Sequence, residues 1–472
     1  MRTILSCLLL QACSLAVTAQ PVPAPQGGGS YRTEALPCLL PADYQRINSM
    51  LEKNIAQLKA EGKLAADWGT SQPADAKPTA GTFIWPLRQE PGFSYNSYYG
   101  ISNYVDLDPL YPNQVKDWNC GARTYDQASG YNHQGVDIFL WPFSQQMQEN
   151  QQVAIVAAAD GVIIGKDDGN PDHSCALNNA AWNAVYIGNS DGTICWYGHM
   201  KTGSQTAKGP GQSVVAGEFL GYVGSSGNST GPHLHFETHT GSGDILDPFV
   251  GPCRPGASLW ANQKPYIEPT INTLMTHGHA PVFPDCPQLE TINAQSLFHP
   301  GDTLFAAAYY HDQNPASPSI YTLYRPDNSV FQTWTHSSPQ YYNASYWYWY
   351  WKVGASWPSG DWRFEVSYEG HTVNHVFKVE AGSGIARINA GSDALVIVPN
   401  PNHGIFTIEG LASQLETLSY RVTNVAGRTV ATGHIAKGSG RVALAQQQPK
   451  GIYILQLDEA KGHRSYLRFL IR

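Results

Sequence analysis

Residues 227–238 read GNSTGPHLHFET. After the turn at Gly231 and Pro232, His233, His235 and Glu237 alternate with Leu234 and Phe236. A period of two is the pattern of a β-strand, whose side chains point to opposite faces in turn. Leu234 and Phe236 therefore face a core, and the two imidazoles project together from the other face. Parallel imidazoles on a strand suit metal ligation or proton transfer, and either use needs further groups from elsewhere in the chain.

The surroundings of this run are also patterned for strands. VAIVAAADGVIIG (153–165) and NAVYIGNSDGTICWYGHM (183–200) are strand–turn–strand stretches with Asp-Gly as the tight-turn signal, and GQSVVAGEFLGYVG (211–224) continues the pattern. Forty-five glycines, 32 prolines and 26 tyrosines fit turn-rich β architecture. A chain of 472 residues calls for more than one domain. The predicted fold class is mainly β. An antiparallel β domain covers 81–265, an immunoglobulin-like β-sandwich 272–380, a linker 381–391 and a small β domain 392–472, with a short helix ahead of them.

Residues 1–19 combine Arg2, an apolar core and a small-residue exit at Val17, Thr18 and Ala19, the pattern of a secretory signal. Acylation of Cys13 in LQAC is the alternative reading of the same stretch. Within 20–80, QPVPAPQGGGS reads as a flexible linker. Tyr44, Ile47, Leu51, Ile55 and Leu58 then recur at helical spacing, with Gly62 as a stop, and predict a pro-segment or docking helix. After the signal, no segment approaches the ~20 apolar residues of a membrane span. A net charge of −8 without a basic run argues against nucleic acid as partner. Six cysteines lie beyond the signal: Cys38, Cys120, Cys175, Cys195, Cys253 and Cys286. In an exported chain they suggest disulfides, with the pairing open. None forms a CxxC pair, which disfavours a cysteine-bound zinc.

YNHQGVDIF (131–139) places His133 and Asp137 four residues apart around Gly135. An even offset puts both on one side of an extended stretch. With His235 they make the three-ligand, one-open-position arrangement of hydrolytic zinc, one Zn²⁺ per domain, which polarises a carbonyl and acidifies water. His233, displaced along its strand, and His199 in CWYGHM are left to move a proton or stabilise an oxyanion. Neither HExxH nor GxSxG occurs.

HQGVD, YGHM and GSSGNSTGPHLHFE (224–237), in this order, resemble the LytM/lysostaphin-type zinc metallo-endopeptidases over roughly residues 81–265. The resemblance implies zinc on His133, Asp137 and His235, and catalysis by His199 and His233. It implies peptide cross-bridges or stems of peptidoglycan as substrate, with glycine-rich or otherwise open extracellular proteins as the alternative. Some relatives are latent, with an upstream Asn in zinc's open position, and Asn96 and Asn103 in YNSYYGISNY offer that group here. At the C-terminus, Pro399-Asn400-Pro401, Gly404 with Phe406, NVAGR (424–428) and GIY (451–453) resemble the sorting domain of type IX secretion in Bacteroidetes-type bacteria. That implies the secretion machinery as a partner, and a protein that is secreted or retained on the outer surface.

Other features compete with this reading. The aromatic run at 346–351 would stack on sugar rings if exposed, making the chain a surface glycan-binding protein with a vestigial site. A strand packed on both faces, or at a domain interface, is its plainer reading. The HGH of His277 and His279 lacks apolar alternation and a partner motif, and Asp167, Asp168 and Asp172 do not fit a calcium loop. Glu237 shares the face of His233 and His235, either orienting one of them or solvated at the strand end. A disulfide involving Cys175 or Cys195 is expected to brace the groove.

Overall fold

The computed structural model describes residues 22–29, 37–69, 81–380, 395–409, 418–425, 427–435, 440–444, 448–458 and 464–472. The predicted signal at 1–19 and linker at 381–391 lie outside the described residues. The described residues form 26 strands and two helices, in line with the mainly β prediction.

A seven-stranded antiparallel sheet organises the first part of the chain. Its order is Tyr99–Asn103, Gly135–Leu140, His233–His239, Ile194–Gly198, Ala184–Asn189, Gly161–Asp167 and Ser213–Val214. One face carries Val136, Ile138, Leu234, Phe236, Tyr197, Val185 and Ile187. These share a buried core with Leu87, Val153, Ile155 and Leu220 of a three-stranded sheet. Alternation along His233–His239 therefore divides the strand as predicted, with Leu234 and Phe236 at 0% exposure on the core side.

The opposite face, which bears the histidines, is covered by the helix Pro41–Ala60. Proline suits the first helical turn, where its missing N–H costs nothing, and the Asp43 carboxylate accepts the Leu40 N–H at 3.0 Å. Gly62, at φ +68°, supplies the left-handed residue that ends the run. The helix buries Ile47, Leu51 and Leu58 against Ile164, Trp182, Tyr186, Ile194 and Trp196 of the sheet and its loops. The predicted stripe is thus the docked stripe, with Tyr44 and Ile55 half-buried at its margins.

The next region is a sandwich. One sheet has the order Gln26–Gly29, Tyr342–Lys352, Thr303–Gln313 and Thr270–His277. The other runs Leu297–Phe298, His371–Val379, Gly360–Tyr368, Ser319–Tyr324 and Val330–His336. Gln26–Gly29 corrects the sequence reading, which took these residues as part of a flexible linker. They add an edge strand, pairing with residues 345–348. The approach is so close that a Cβ on Gly29 would stand 1.9 Å from the Tyr342 ring. Glycine here permits contact, which composition cannot distinguish from glycine that permits freedom.

The aromatic run lies on the neighbouring strand. Trp347, Trp349 and Trp351 enter the sandwich core, whereas Tyr346 and Tyr348 face the first domain beside Phe283, Tyr309 and Phe305. Only Tyr350 of the six is exposed, so no open stacking ladder remains.

An apolar cluster, a disulfide and a buried ion pair are among the links that join sandwich and first domain. Phe139, Trp141 and Phe143 cluster with Ala307, Tyr309 and Ala344, Cys175 is bonded to Cys286, and Arg123 reaches Asp312 at 2.6 Å. Asp312 also accepts from the Glu268 N–H at 2.9 Å and the Tyr341 hydroxyl at 2.6 Å. The expected disulfide at the Cys175 loop is present, but Cys195 takes no part. It is a free, buried thiol, as is Cys38, while Cys120 pairs with Cys253.

The segment Gly382–Arg472 is a separate compact unit. Its sheets run Val396–Val398, Ile405–Glu409, Arg441–Ala443, and Thr429–Ile435, Leu418–Asn424, Gly451–Asp458, Arg464–Ile471, around Phe406, Val422, Leu455 and Phe469. Between the paired strands Leu418–Asn424 and Thr429–Ile435, the Asn424 side chain accepts the Arg428 N–H at 3.0 Å and Gly427 adopts φ +77°. The Tyr453 hydroxyl of GIY donates to the Pro449 carbonyl at 2.8 Å.

Removing one partner of a buried ion pair strands the other charge away from water. Asp312→Ala is expected to destabilise the first unit by roughly 3–5 kcal/mol, measured by urea unfolding followed by tryptophan fluorescence.

Candidate metal centre

Register brings the predicted residues together. His235 pairs across one strand boundary with Asp137 and across the other with Gly198, the residue before His199. His133 lies two residues ahead of its strand, Gly135–Leu140, and Gly135 clears space over the centre: a Cβ there would stand 2.6 Å from His235 Nε2. Gly198 does the same for the Trp182 ring, 2.2 Å from a hypothetical Cβ. His199 follows in the left-handed conformation, φ +58°, which histidine adopts only where its surroundings hold it.

The five side chains are buried: His133, His199 and His235 at 0%, Asp137 at 5% and His233 at 7% exposure. Their outer atoms are fixed by carbonyls and carboxylates. His133 Nδ1 donates to the Tyr104 carbonyl at 2.7 Å, His199 Nδ1 to Ser226 at 2.6 Å, and His233 Nδ1 to Gly231 at 2.8 Å. A backbone carbonyl only accepts, so each ring carries its proton on Nδ1 and turns a bare Nε2 inward. His235 is oriented the other way, with Nδ1 2.7 Å from Asp137 Oδ1 and Nε2 2.8 Å from Glu237 Oε1.

His133 Nε2 and His199 Nε2 are buried without a hydrogen-bond partner. His133 Nε2 stands 3.1 Å from Asp137 Oδ2, close but not aligned as a hydrogen bond. A buried lone pair beside a carboxylate calls for a cation between them. The proton answers the same call when no metal does. Burial would lower His133, but Asp137 outweighs it and pushes the imidazole up to about 9. Burial would raise Asp137, but His133 and His235 hold it well below the usual carboxylate range. His199 moves down, through burial and the charge of His233, whose ring centroid is 4.4 Å away.

Two overlapping groups could hold a metal ion. One ligand atom from each of Cys38, His133, Asp137 and His235 lies within 4.8 Å of the others, and the same is true of Cys38, His199 and His233. The donor set of imidazole, carboxylate and thiol suits zinc. Cys38 is the member that sequence reasoning missed. Two disulfides from six cysteines leave two thiols over, but nothing local in LPCLL separates Cys38 from the other five. Asn103 donates to Asp137 Oδ2 at 3.0 Å, and Asn96 donates to the Ile271 carbonyl at 2.7 Å.

Glu237 is fully buried and accepts three hydrogen bonds: from Tyr44 Oη at 2.7 Å, His235 Nε2 at 2.8 Å and His239 Nε2 at 2.9 Å. Of the two expectations for it, the structure gives the orienting one. His277 is tied to the Ile292 carbonyl and the Tyr309 hydroxyl. The three aspartates diverge: Asp167 to Arg46, Asp168 to the Gly203 N–H and Asp172 to the Thr202 N–H.

Residues 131–248 match the family model Peptidase family M23, and residues 396–472 match the Secretion system C-terminal sorting domain. The DD-carboxypeptidase/endopeptidase Mpg of Neisseria meningitidis and Neisseria gonorrhoeae is 40% identical over 87 residues, 18% of this chain and 17% of the relative. The glycyl-glycine endopeptidase ALE-1 of Staphylococcus capitis is 32% identical over 115 residues, 24% of this chain and 26% of the relative. The chain therefore spans about a quarter or less of the length of these curated relatives.

Glu237 yields a pH test. Burial would raise its carboxyl, but His235 and His239 outweigh it and hold it at about 2. A depressed carboxylate contributes stability that is present above its unfolded value of about 4.3 and is lost as pH falls towards 2. Glu237→Gln should cost roughly 1–3 kcal/mol at pH 7. The gap from the unaltered protein should close between about pH 4.3 and 2, measured by denaturant unfolding across that range.

Proposed function

We propose that this chain, which carries a Peptidase family M23 domain and a secretion system C-terminal sorting domain, is a secreted zinc-dependent endopeptidase that cuts the peptides of bacterial cell walls. The observation that carries the reading is the convergence of His133, Asp137, His199, His233 and His235 on one buried centre, two of their nitrogens lacking a hydrogen-bond partner.

His133 through Nε2, Asp137 through its carboxylate and His235 through Nδ1 would hold zinc. When bound, the ion supplies a Lewis acid for the scissile carbonyl and lowers the pKa of water. The other tasks fall to the chain. Glu237 and the Tyr104 carbonyl fix the ligand rings, and Asn103 fixes Asp137. Two imidazoles with centroids 4.4 Å apart do not both stay charged in a buried site. Of His199 and His233, one therefore accepts the proton of the attacking water while the other donates to the developing oxyanion. Both present Nε2 for this, because both Nδ1 atoms are spent on carbonyls.

Cleavage of wall cross-links or stem peptides is supported by the relatives' names, which specify a DD-carboxypeptidase/endopeptidase and a glycyl-glycine endopeptidase. The sorting domain supports export through a dedicated machinery and residence outside the cell. No helix among the described residues is long and apolar enough to cross a membrane.

The test is digestion of purified sacculi by the processed protein, with products identified by mass spectrometry. Cut cross-links or stems with new amino termini are expected. His199→Ala should retain zinc but lose roughly 10²–10⁴ in rate, whereas His133→Ala should lose the metal, read by elemental analysis. Intact sacculi together with cleavage of glycine-rich proteins would move the substrate to the protein class.

A further inference from the structure

The catalytic face of the sheet is closed. Besides the five polar residues of the centre, it carries Tyr186, Trp196 and Glu237, and residues 38–68 lie across it. Tyr44 stacks on Trp196 at 5.9 Å and donates to Glu237, and Asn54 Nδ2 donates to the Ile164 carbonyl at 2.8 Å. Trp68 Nε1 donates to the Asn189 carbonyl at 2.7 Å. Just ahead of the helix, Leu39 is sunk among Trp182 and Trp196, and Cys38, at 5% exposure, enters the centre itself. Beneath this segment the five side chains of the centre are at most 7% exposed.

We propose that Cys38 is the fourth ligand of the zinc, a thiolate that keeps the full-length chain latent until its segment is displaced. The inference rests on the zinc reading above. Its geometric basis is that Cys38 Sγ belongs to both ligand groups, within 4.8 Å of the inward atoms of His133, Asp137 and His235 and of His199 and His233. The orphaned Nε2 atoms of His133 and His199 are the second observation: the centre is built for a cation that Sγ can share. A disulfide does not explain Cys38. The other free thiol, Cys195, lies on the core face of the sheet, one residue out of phase with Trp196 on the catalytic face. The contact nearest to an ordinary hydrogen bond is Tyr125 Oη at 3.6 Å.

The chemistry balances without a redox partner. On zinc binding, the Cys38 thiol releases its proton to solvent and a sulfur–metal bond forms. Three protein ligands and a thiolate fill the tetrahedral shell, as in a structural zinc site, and leave no open position. On activation that bond breaks, the sulfur regains a proton from solvent, and the vacated position admits substrate and water.

The experiment uses the full chain loaded with zinc. X-ray absorption at the zinc edge should show one sulfur neighbour at about 2.3 Å beside nitrogen and oxygen ligands. Cys38→Ser should keep zinc with the sulfur signal gone. Cys38 should resist alkylation until a chelator is added. Cys38→Ser and Cys38→Ala should both digest sacculi about tenfold or more faster than the unaltered chain, because the competent fraction rises. Zinc in a shell of nitrogen and oxygen alone, with the unaltered chain as active as Cys38→Ser, would overturn the switch and leave the peptidase reading standing. A chain and variants that bind no zinc would overturn both. Absorption on the unaltered chain needs no mutant, so a variant that fails to fold does not block the test.

Discussion

The centre depends on one antiparallel register, Asp137 opposite His235 and His235 opposite Gly198. Directly opposed residues share a face and lie close enough for their side chains to meet, which places Asp137, His235 and the approach to His199 on the same side of three adjacent strands. A slip of one residue would send His233, His235 and Glu237 into the core and Leu234 and Phe236 into the site. The apolar face prevents that slip. Leu234, Phe236, Val136 and Ile138 are fully buried against the second sheet, so the geometry of the histidine-bearing face is enforced from the opposite side of the backbone.

Burying four imidazoles and two carboxylates is tolerable only because each is paired or aimed. The carbonyls of Tyr104, Ser226 and Gly231 fix the tautomers of His133, His199 and His233, and Glu237 fixes His235. What is left inward is a set of lone pairs around Asp137, which repel one another in a low dielectric unless a positive charge sits among them. The elevated His133 and depressed Asp137 express that demand in protons. A metal ion meets it with one particle instead of several, and the polar shell keeps its shape in either case.

Much of this was legible in the sequence for a physical reason. Strand period and turn residues are local signals, and His133, Asp137, His233 and His235 sit at positions where a period of two decides their face; His199, one residue past Gly198, reaches the same centre through its left-handed backbone instead. The docking stripe Ile47, Leu51 and Leu58 was legible on the same grounds, from a period near 3.6. Cys38 and Gln26–Gly29 were not. Their roles arise from contacts with residues about 100 or more positions away, Cys38 with His133, Asp137 and His235, and Gln26–Gly29 with residues 345–348. Neither stretch has a period. A glycine run beside proline reads as freedom until the Tyr342 ring is seen against it. A cysteine among six reads as half of a disulfide until the partners are known. The run at 346–351 was ambiguous for a related reason: alternation was visible, but which two bodies its faces would meet was not.

The covering segment is both a structural element and an obstruction, and its parts are held unequally. Ile47, Leu51 and Leu58 are each nearly fully buried, worth roughly 1.5–3 kcal/mol apiece as an upper estimate. Lifting the helix from the sheet would also bare Trp182, Tyr186 and Trp196, an aromatic surface of the kind soluble proteins seldom leave open. Cys38, by contrast, is connected to the helix through Leu39 and Leu40 alone, and only Leu39 is deeply buried there. Displacing those residues unseats the sulfur while the helix stays docked, and it gives up one buried leucine instead of the three apolar anchors of the helix. The cheaper opening is therefore local. In this geometry the helix serves as the mooring that keeps Cys38 at high effective concentration over the centre, and severing the chain between Cys38 and the helix would release the sulfur from that mooring while the helix stays docked.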